Sequence, residues 1–220
     1  MIQSETFTFI KDVAEHNNRE WFAENKGRYE TAKDDVLALV EQLIPKLAAI
    51  DPEFSIETSA KKCLMRIYRD VRFSKNKDPY KNNYGISFNT KAKGVPDPGY
   101  YLHIQPGECF FAAGFWMPEA PVLKKVREEI DYNTSEFLDI IQARPFSSLF
   151  ELEQTDKLKN APKGYEIDHP QIELLKLKSF IALTPLKDQD FLKSGIVAQL
   201  TKAFEGVYPF VQFLRNAVAQ

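Results

Sequence analysis

The stretch Tyr100-Tyr101-Leu102-His103-Ile104-Gln105-Pro106-Gly107-Glu108-Cys109-Phe110-Phe111-Ala112-Ala113-Gly114-Phe115-Trp116 decides the fold. Pro106 followed by Gly107 suits the two central positions of a type II turn, because proline presets φ at the first and glycine accepts a positive φ at the second. Tyr100 to Gln105 and Glu108 to Trp116 are rich in aromatic and apolar residues, so the segment predicts a β-hairpin. Upstream, Tyr84 to Asn89 and Cys63 to Tyr68 also read as strands, with a charged, proline-containing loop between them. A second loop is expected from Lys91 to Gly99, which holds two glycines and two prolines. Four strands in succession without helices between them imply an antiparallel sheet.

Helical patterns lie on both sides of these strands. Phe7, Ile10 and Ala14 fall at helical spacing in residues 4–15, with Ser4 placed to cap them. Asn18 is placed to cap the next stretch, Arg19 to Ile50, which has a possible division around Gly27. Val36, Val40, Leu43 and Leu47 form an apolar stripe there, and Pro45 is expected to kink or end the helix. Pro118 to Asp131 reads as a helix, with Pro121 in its first turn. Thr134 is placed to cap a helix to Ala143, residues 145–168 read as irregular, and Pro170 to Lys176 as a short helix. Ser179 to Thr184 is expected to be the last strand, and Gly195 to Val207 and Pro209 to Val218 two closing helices. The expectation is an α+β fold: an antiparallel sheet of four or more strands packed against N-terminal and C-terminal helices, in a single domain over residues 1–220.

A chain of 220 residues can bury roughly 70% of its unfolded surface and needs no disulfide or metal staple. Cys63 and Cys109 are expected to be free, buried thiols. The N-terminal residues carry no apolar leader, and no apolar run approaches the roughly 20 residues of a membrane span. No membrane partner and a cytoplasmic location are therefore expected. The net charge of −2 hides a contrast, since residues 61–93 hold ten Lys/Arg and two Asp, a local +8.

Six of those ten cations and both aspartates lie in Arg66-Ile67-Tyr68-Arg69-Asp70-Val71-Arg72-Phe73-Ser74-Lys75-Asn76-Lys77-Asp78-Pro79-Tyr80-Lys81-Asn82-Asn83. Arginine forks match carboxylate and phosphate geometry, and lysine adds a point charge. Arg66, Arg69, Arg72, Lys75, Lys77 and Lys81 are candidate anion ligands, with Tyr80 and Asn82 as orienting groups. Asp70 and His103 are the candidates for proton transfer. His103 shares a strand face with Tyr101 and Gln105 by alternation, and the competing assignment is a sheet histidine with its bonds satisfied.

This window, together with Asn17-Asn18-Arg19-Glu20-Trp21-Phe22, Asn25-Lys26 and Tyr29, resembles the bacterial family catalogued as domain of unknown function 2461. The later segments Gly99 to Ile104, Gly114 to Pro118, Ala161 to Tyr165 and Leu174 to Ser179 fit the same family. The resemblance implies one domain and carries no reaction type.

His16, His103 and His169 are scattered, so no zinc site is expected. No GxGxxG, Walker or GxSxG motif occurs, and no cofactor is expected. Three function classes remain open: a site for a phosphorylated or carboxylated small molecule, with or without catalysis; a nucleic-acid-binding module on the same cations, with Tyr68, Phe73, Tyr80 or Tyr84 stacking on bases; and an interaction or structural protein with no ligand.

Overall fold

The computed structural model describes residues 1–91 and 95–219, so part of the expected Lys91 to Gly99 loop (92–94) lies outside the described residues. Its strands are β1 (Tyr84–Phe88), β2 (Gly99–Ile104), β3 (Phe110–Phe115), β4 (Glu151–Leu152) and β5 (Phe180–Pro185). They form one antiparallel sheet in the order β1-β2-β3-β5-β4, with helices at both chain ends, as the α+β reading expects. β4 and β5 pair in the register Glu151 to Leu183 and Leu152 to Ala182. β4 is an addition to the expected set, because two residues carry too little pattern to be read as a strand.

The hairpin between β2 and β3 has the expected turn. Gly107 takes φ 79°, and the Glu108 N–H donates to the Gln105 carbonyl at 2.9 Å. Along β2, Tyr100, Leu102 and Ile104 are buried while Tyr101 and His103 are half-buried, which is the two-residue alternation of a sheet with one covered face. Gly114 in β3 has φ 128°, and a Cβ there would lie 2.0 Å from the Phe180 carbonyl oxygen. Only glycine permits β3 and β5 to approach this closely.

The chain packs as two compact units, each assembled from three separate segments. The first comprises Met1–Phe88, Tyr101–Phe111 and Pro185–Lys202; the second comprises Asn89–Tyr100, Ala112–Thr184 and Ala203–Gln220. In the first, α1 (Ser4–Glu15) packs on α3 (Lys26–Ile50), joined by α2 (Arg19–Glu24). The apolar stripe Val36, Val40, Leu43 and Leu47 is fully buried, as its spacing requires. The Asn18 side chain caps α2 by accepting from the Trp21 N–H at 2.9 Å. The second holds α5 (Ala120–Tyr132), α6 (Thr134–Gln142), α7 (Arg144–Ser147) and α8 (Ile172–Leu175), with α5 against α6 and α8, and with Phe137 of α6 6.1 Å and Phe146 of α7 5.5 Å from Phe210. Two further helices are α4 (Ala60–Cys63) and α9 (Asp188–Phe191), and α10 (Ile196–Ala219) closes the chain.

Several boundaries differ from the sequence reading. Pro45 does not end α3, and Pro209 does not divide the C-terminal helix, which is continuous from Ile196 to Ala219. Both prolines are exposed. The carbonyl each one leaves unbonded one turn earlier, at Glu41 and Glu205, also belongs to an exposed residue, so water can satisfy it while the buried stripe holds the helix together. Ser4 is the first helical residue rather than the cap, a position taken by Gln3. The long N-terminal helical stretch does form two pieces, dividing at Asn25, two residues before Gly27. Thr134 likewise lies inside α6, where its hydroxyl donates back to the Ile130 carbonyl at 2.8 Å. The expected strand from Cys63 to Tyr68 is reduced to isolated bridges at Leu64 and Tyr68, for the reason that shapes the site below.

Candidate functional site

The basic window forms an irregular two-stranded arm within the first unit. Leu64 bridges Ile86, and Tyr68 bridges Tyr80, both antiparallel. Four residue steps on the first side thus face six on the second, so a regular ladder cannot form. The Met65 N–H donates to Gly85 at 2.9 Å, and the Lys81 N–H donates to Ile67 at 2.8 Å. Between those bonds Arg66 alone opposes the bulged residues 82–84. A bulge re-aims side chains, and this one leaves Arg66 opposite residues 82–84, near enough to Lys81 for the two charges to repel.

The base of the arm is pinned from the turn between α1 and α2. The Asn17 side-chain amide donates to the Tyr80 carbonyl at 3.0 Å, and its oxygen accepts from the Tyr80 N–H at 3.0 Å. The Tyr80 ring stacks on Phe22 of α2 at 3.9 Å and 13°, with Tyr68 5.5 Å away. Tyr29 lies 5.2 Å from Phe22. Burial pushes the Tyr80 phenol above its usual range, the neighbouring Tyr68 phenol adds to this, and the charge of Arg19 opposes it. Asn17, Arg19 and Tyr29 belong to this site although the window contains none of them. The signal in the sequence was their place in the family resemblance, which groups Asn17, Arg19 and Tyr29 with the window.

The candidate cations separate into two groups. Arg72 donates to both oxygens of Asp70, at 3.0 and 2.7 Å. This holds the Asp70 carboxyl below its usual range, with a smaller contribution from Arg66. Arg69 donates to the Asp78 carbonyl at 3.3 Å and lies 3.8 Å from its carboxylate. Lys77 donates to the Val71 carbonyl at 2.9 Å. These three brace the arm. Among the described residues, the side chains of Arg66, Lys75 and Lys81 make no hydrogen bond or ion pair. Lys81 is half-buried, and burial together with the repulsion of Arg66 pushes its pKa down. Asn82 is exposed beside it.

His103 stands on the half-buried face of β2 in a chain of hydrogen bonds. Its Nδ1 lies 2.9 Å from the Tyr101 hydroxyl and 3.4 Å from the Asn83 amide nitrogen, both potential donors. Its Nε2 lies 3.0 Å from Oε1 of Gln105, whose amide in turn donates to Glu108. The set fits a neutral imidazole carrying its proton on Nε2. Burial lowers the His103 pKa, opposed by Gln105 and Glu108, and the ring stacks on Phe110 at 4.7 Å. Tyr84 differs: its ring is 2% exposed and its hydroxyl has no hydrogen-bond partner among the described residues. Burial raises its pKa, as do Tyr29, Glu30 and Asp35.

Cys63 and Cys109 are free and buried, and burial pushes their thiols up to about 11 and about 12. Neither is an activated nucleophile at neutral pH. Among the described residues no three His, Cys, Asp or Glu side chains gather as a metal-ligand set, and no helix is long and apolar enough to cross a membrane.

No curated protein and no solved structure matches the chain. A family model does match it across residues 5–213, which takes in the Asn17 clamp, the basic arm and the His103 strand together. The chain therefore belongs to the family described as conserved hypothetical protein, domain of unknown function 2461 (DUF2461).

Proposed function

We propose that the protein binds a phosphorylated or carboxylated small molecule at the basic arm, with Arg66 and Lys81 as the direct ligands and Tyr80 and Asn82 orienting the bound group. The observation that carries this reading is the juxtaposition of Lys81 and Arg66. A half-buried lysine beside a second cation, with no carboxylate among the described residues hydrogen-bonded or ion-paired to either and only Asp70 acting on Arg66 from a longer range, stores repulsion that an anion would relieve. Arg69, Arg72 and Lys77 hold the arm in shape, which limits the ordering cost of binding. Lys75 adds to the local positive field. Asp70 is held ionised by Arg72, and His103 has its ring nitrogens occupied. The reading is therefore of recognition, with these two groups as the places to look should a proton-transfer step exist. Two buried free thiols suit a cytoplasmic protein.

Calorimetric titration with inorganic phosphate and a panel of phosphorylated and carboxylated metabolites tests it. Each charge-assisted hydrogen bond is worth roughly 1.5–3 kcal/mol, so Arg66→Gln with Lys81→Gln should weaken a phosphate-type ligand by more than about tenfold. Unchanged binding in a folded double variant would remove the reading. Tight binding of oligonucleotides in place of the metabolites would favour the nucleic-acid alternative.

A further inference from the structure

The arm ends in a tip that the anion site does not use. Phe73 is 96% exposed, an unusual state for the side chain of a well-braced loop. The brace is local. Arg72 forks onto Asp70, Lys77 reaches the Val71 carbonyl, and the Asn76 side chain accepts from the Asp78 N–H at 2.8 Å. The Arg72 guanidinium also sits 5.8 Å from the Phe73 ring centre. The tip is thus a preorganised phenylalanine with Arg72 beside its ring and with Lys75 and Lys77 close by in the same loop.

The second unit holds a groove of the opposite character, between α6, α7 and α10, with a volume of about 630 Å³. Its apolar lining includes Ile140, Phe146 and Phe213, and its acidic lining consists of Glu136, Asp139 and Glu205. Among the described residues no lysine or arginine lines it. Gly206 lets α10 approach α7, since a Cβ there would lie 2.6 Å from the Pro145 carbonyl oxygen.

We propose that the Phe73 tip of one molecule docks in this groove of a second copy, with the ring against Phe146 and Phe213 and with Arg72 and Lys75 facing Glu136, Asp139 and Glu205. The argument is complementarity in both terms that govern an interface. An exposed aromatic anchor meets an apolar floor, and a collar of unpaired Lys75 with Arg72, itself held by Asp70, meets an acidic rim that no cation lines among the described residues. Within one chain the ring is exposed, so it fills no groove of its own molecule. A knob and a hole built from different residues join copies by a heterologous, head-to-tail contact when they do not pair reciprocally. This proposal does not depend on the anion site, because Arg66 and Lys81 take no part in it.

Sedimentation velocity over a range of protein and salt concentrations tests it. The parent should self-associate, more weakly as salt rises. Phe73→Asp should abolish association by removing the knob, and Ile140→Glu should abolish it by spoiling the hole. Because each variant keeps the other half of the contact, mixing the two should restore a one-to-one dimer that grows no further. Far-ultraviolet circular dichroism on each variant checks that it is folded. Phosphate titration should be unaffected by Phe73→Asp, which separates failure here from failure of the anion site. A parent that stays monomeric at high concentration would overturn the proposal, as would folded variants that fail to associate when mixed. It would also fail if a monomeric parent bound single-stranded oligonucleotide through Phe73.

Discussion

The Asn17 side chain makes both hydrogen bonds that the backbone of Tyr80 offers, at 3.0 Å each, across 63 residues of sequence. It stands where a neighbouring β-strand would stand and terminates the basic arm as a ladder partner would. Replacing it by alanine leaves a part-buried N–H and carbonyl without partners, at a cost of about 1–3 kcal/mol each. Asn17→Ala should therefore lower stability by a few kcal/mol in chemical denaturation and speed exchange of the Tyr80 amide proton. Asn17→Asp keeps the acceptor and loses the donor, so it should fall between parent and alanine.

The Tyr84 hydroxyl is the reverse case, a buried donor with nothing to donate to among the described residues. An unsatisfied buried hydroxyl costs about 1–3 kcal/mol, so Tyr84→Phe should raise the midpoint of thermal unfolding rather than lower it. A loss of stability in this variant would mean that the hydroxyl is bonded to an ordered water.

Much of the sheet was legible because its signals are local. Pro106-Gly107 fixes one turn, and the alternation of Leu102 and Ile104 against His103 fixes which face is covered. The arm was not legible as it stands. Residues 63–68 have strand composition, but the partner carries two extra residues, and nothing in either segment alone reveals that mismatch. Pro45 and Pro209 misled for a related reason. Proline's local preference is outweighed when its solvent-facing side leaves the lost bond to water and its helix is held by a buried face. The site's composition was visible as charge, but its division into bracing and unpaired cations depends on which carboxylates and carbonyls reach Arg69, Arg72 and Lys77.

We propose that residues 1–220 unfold as one domain although they pack as two compact units. Each unit is assembled from three separate segments, so neither can be excised as a continuous piece of chain. Thermal unfolding followed by near- and far-ultraviolet circular dichroism should give a single coincident transition. Limited proteolysis that yields two stable, separately folded fragments would count against it.

The last expectation concerns acid. Burial lowers the His103 pKa below the ordinary histidine value of 6.5, so the folded protein resists protonation there. Once unfolded, the same residue takes up a proton below about pH 6.5. As pH falls through that value the unfolded state binds a proton that the folded state does not, so stability decreases. The decrease continues until pH reaches the lowered folded-state pKa and then levels off. Tyr101, Asn83 and Gln105 contact the ring, and Glu108 is the nearby carboxylate that offsets part of the burial. In His103→Gln this contribution is absent, so the stability difference between parent and variant should change between pH 7 and the acid side and stay flat above pH 7. Denaturation midpoints for both proteins measure that difference, and the imidazole proton resonances of the parent report the lowered pKa directly. If the ring titrated above its ordinary value, Glu108 would be close enough to outweigh burial, and His103 would be a charged group on this face instead of a neutral one.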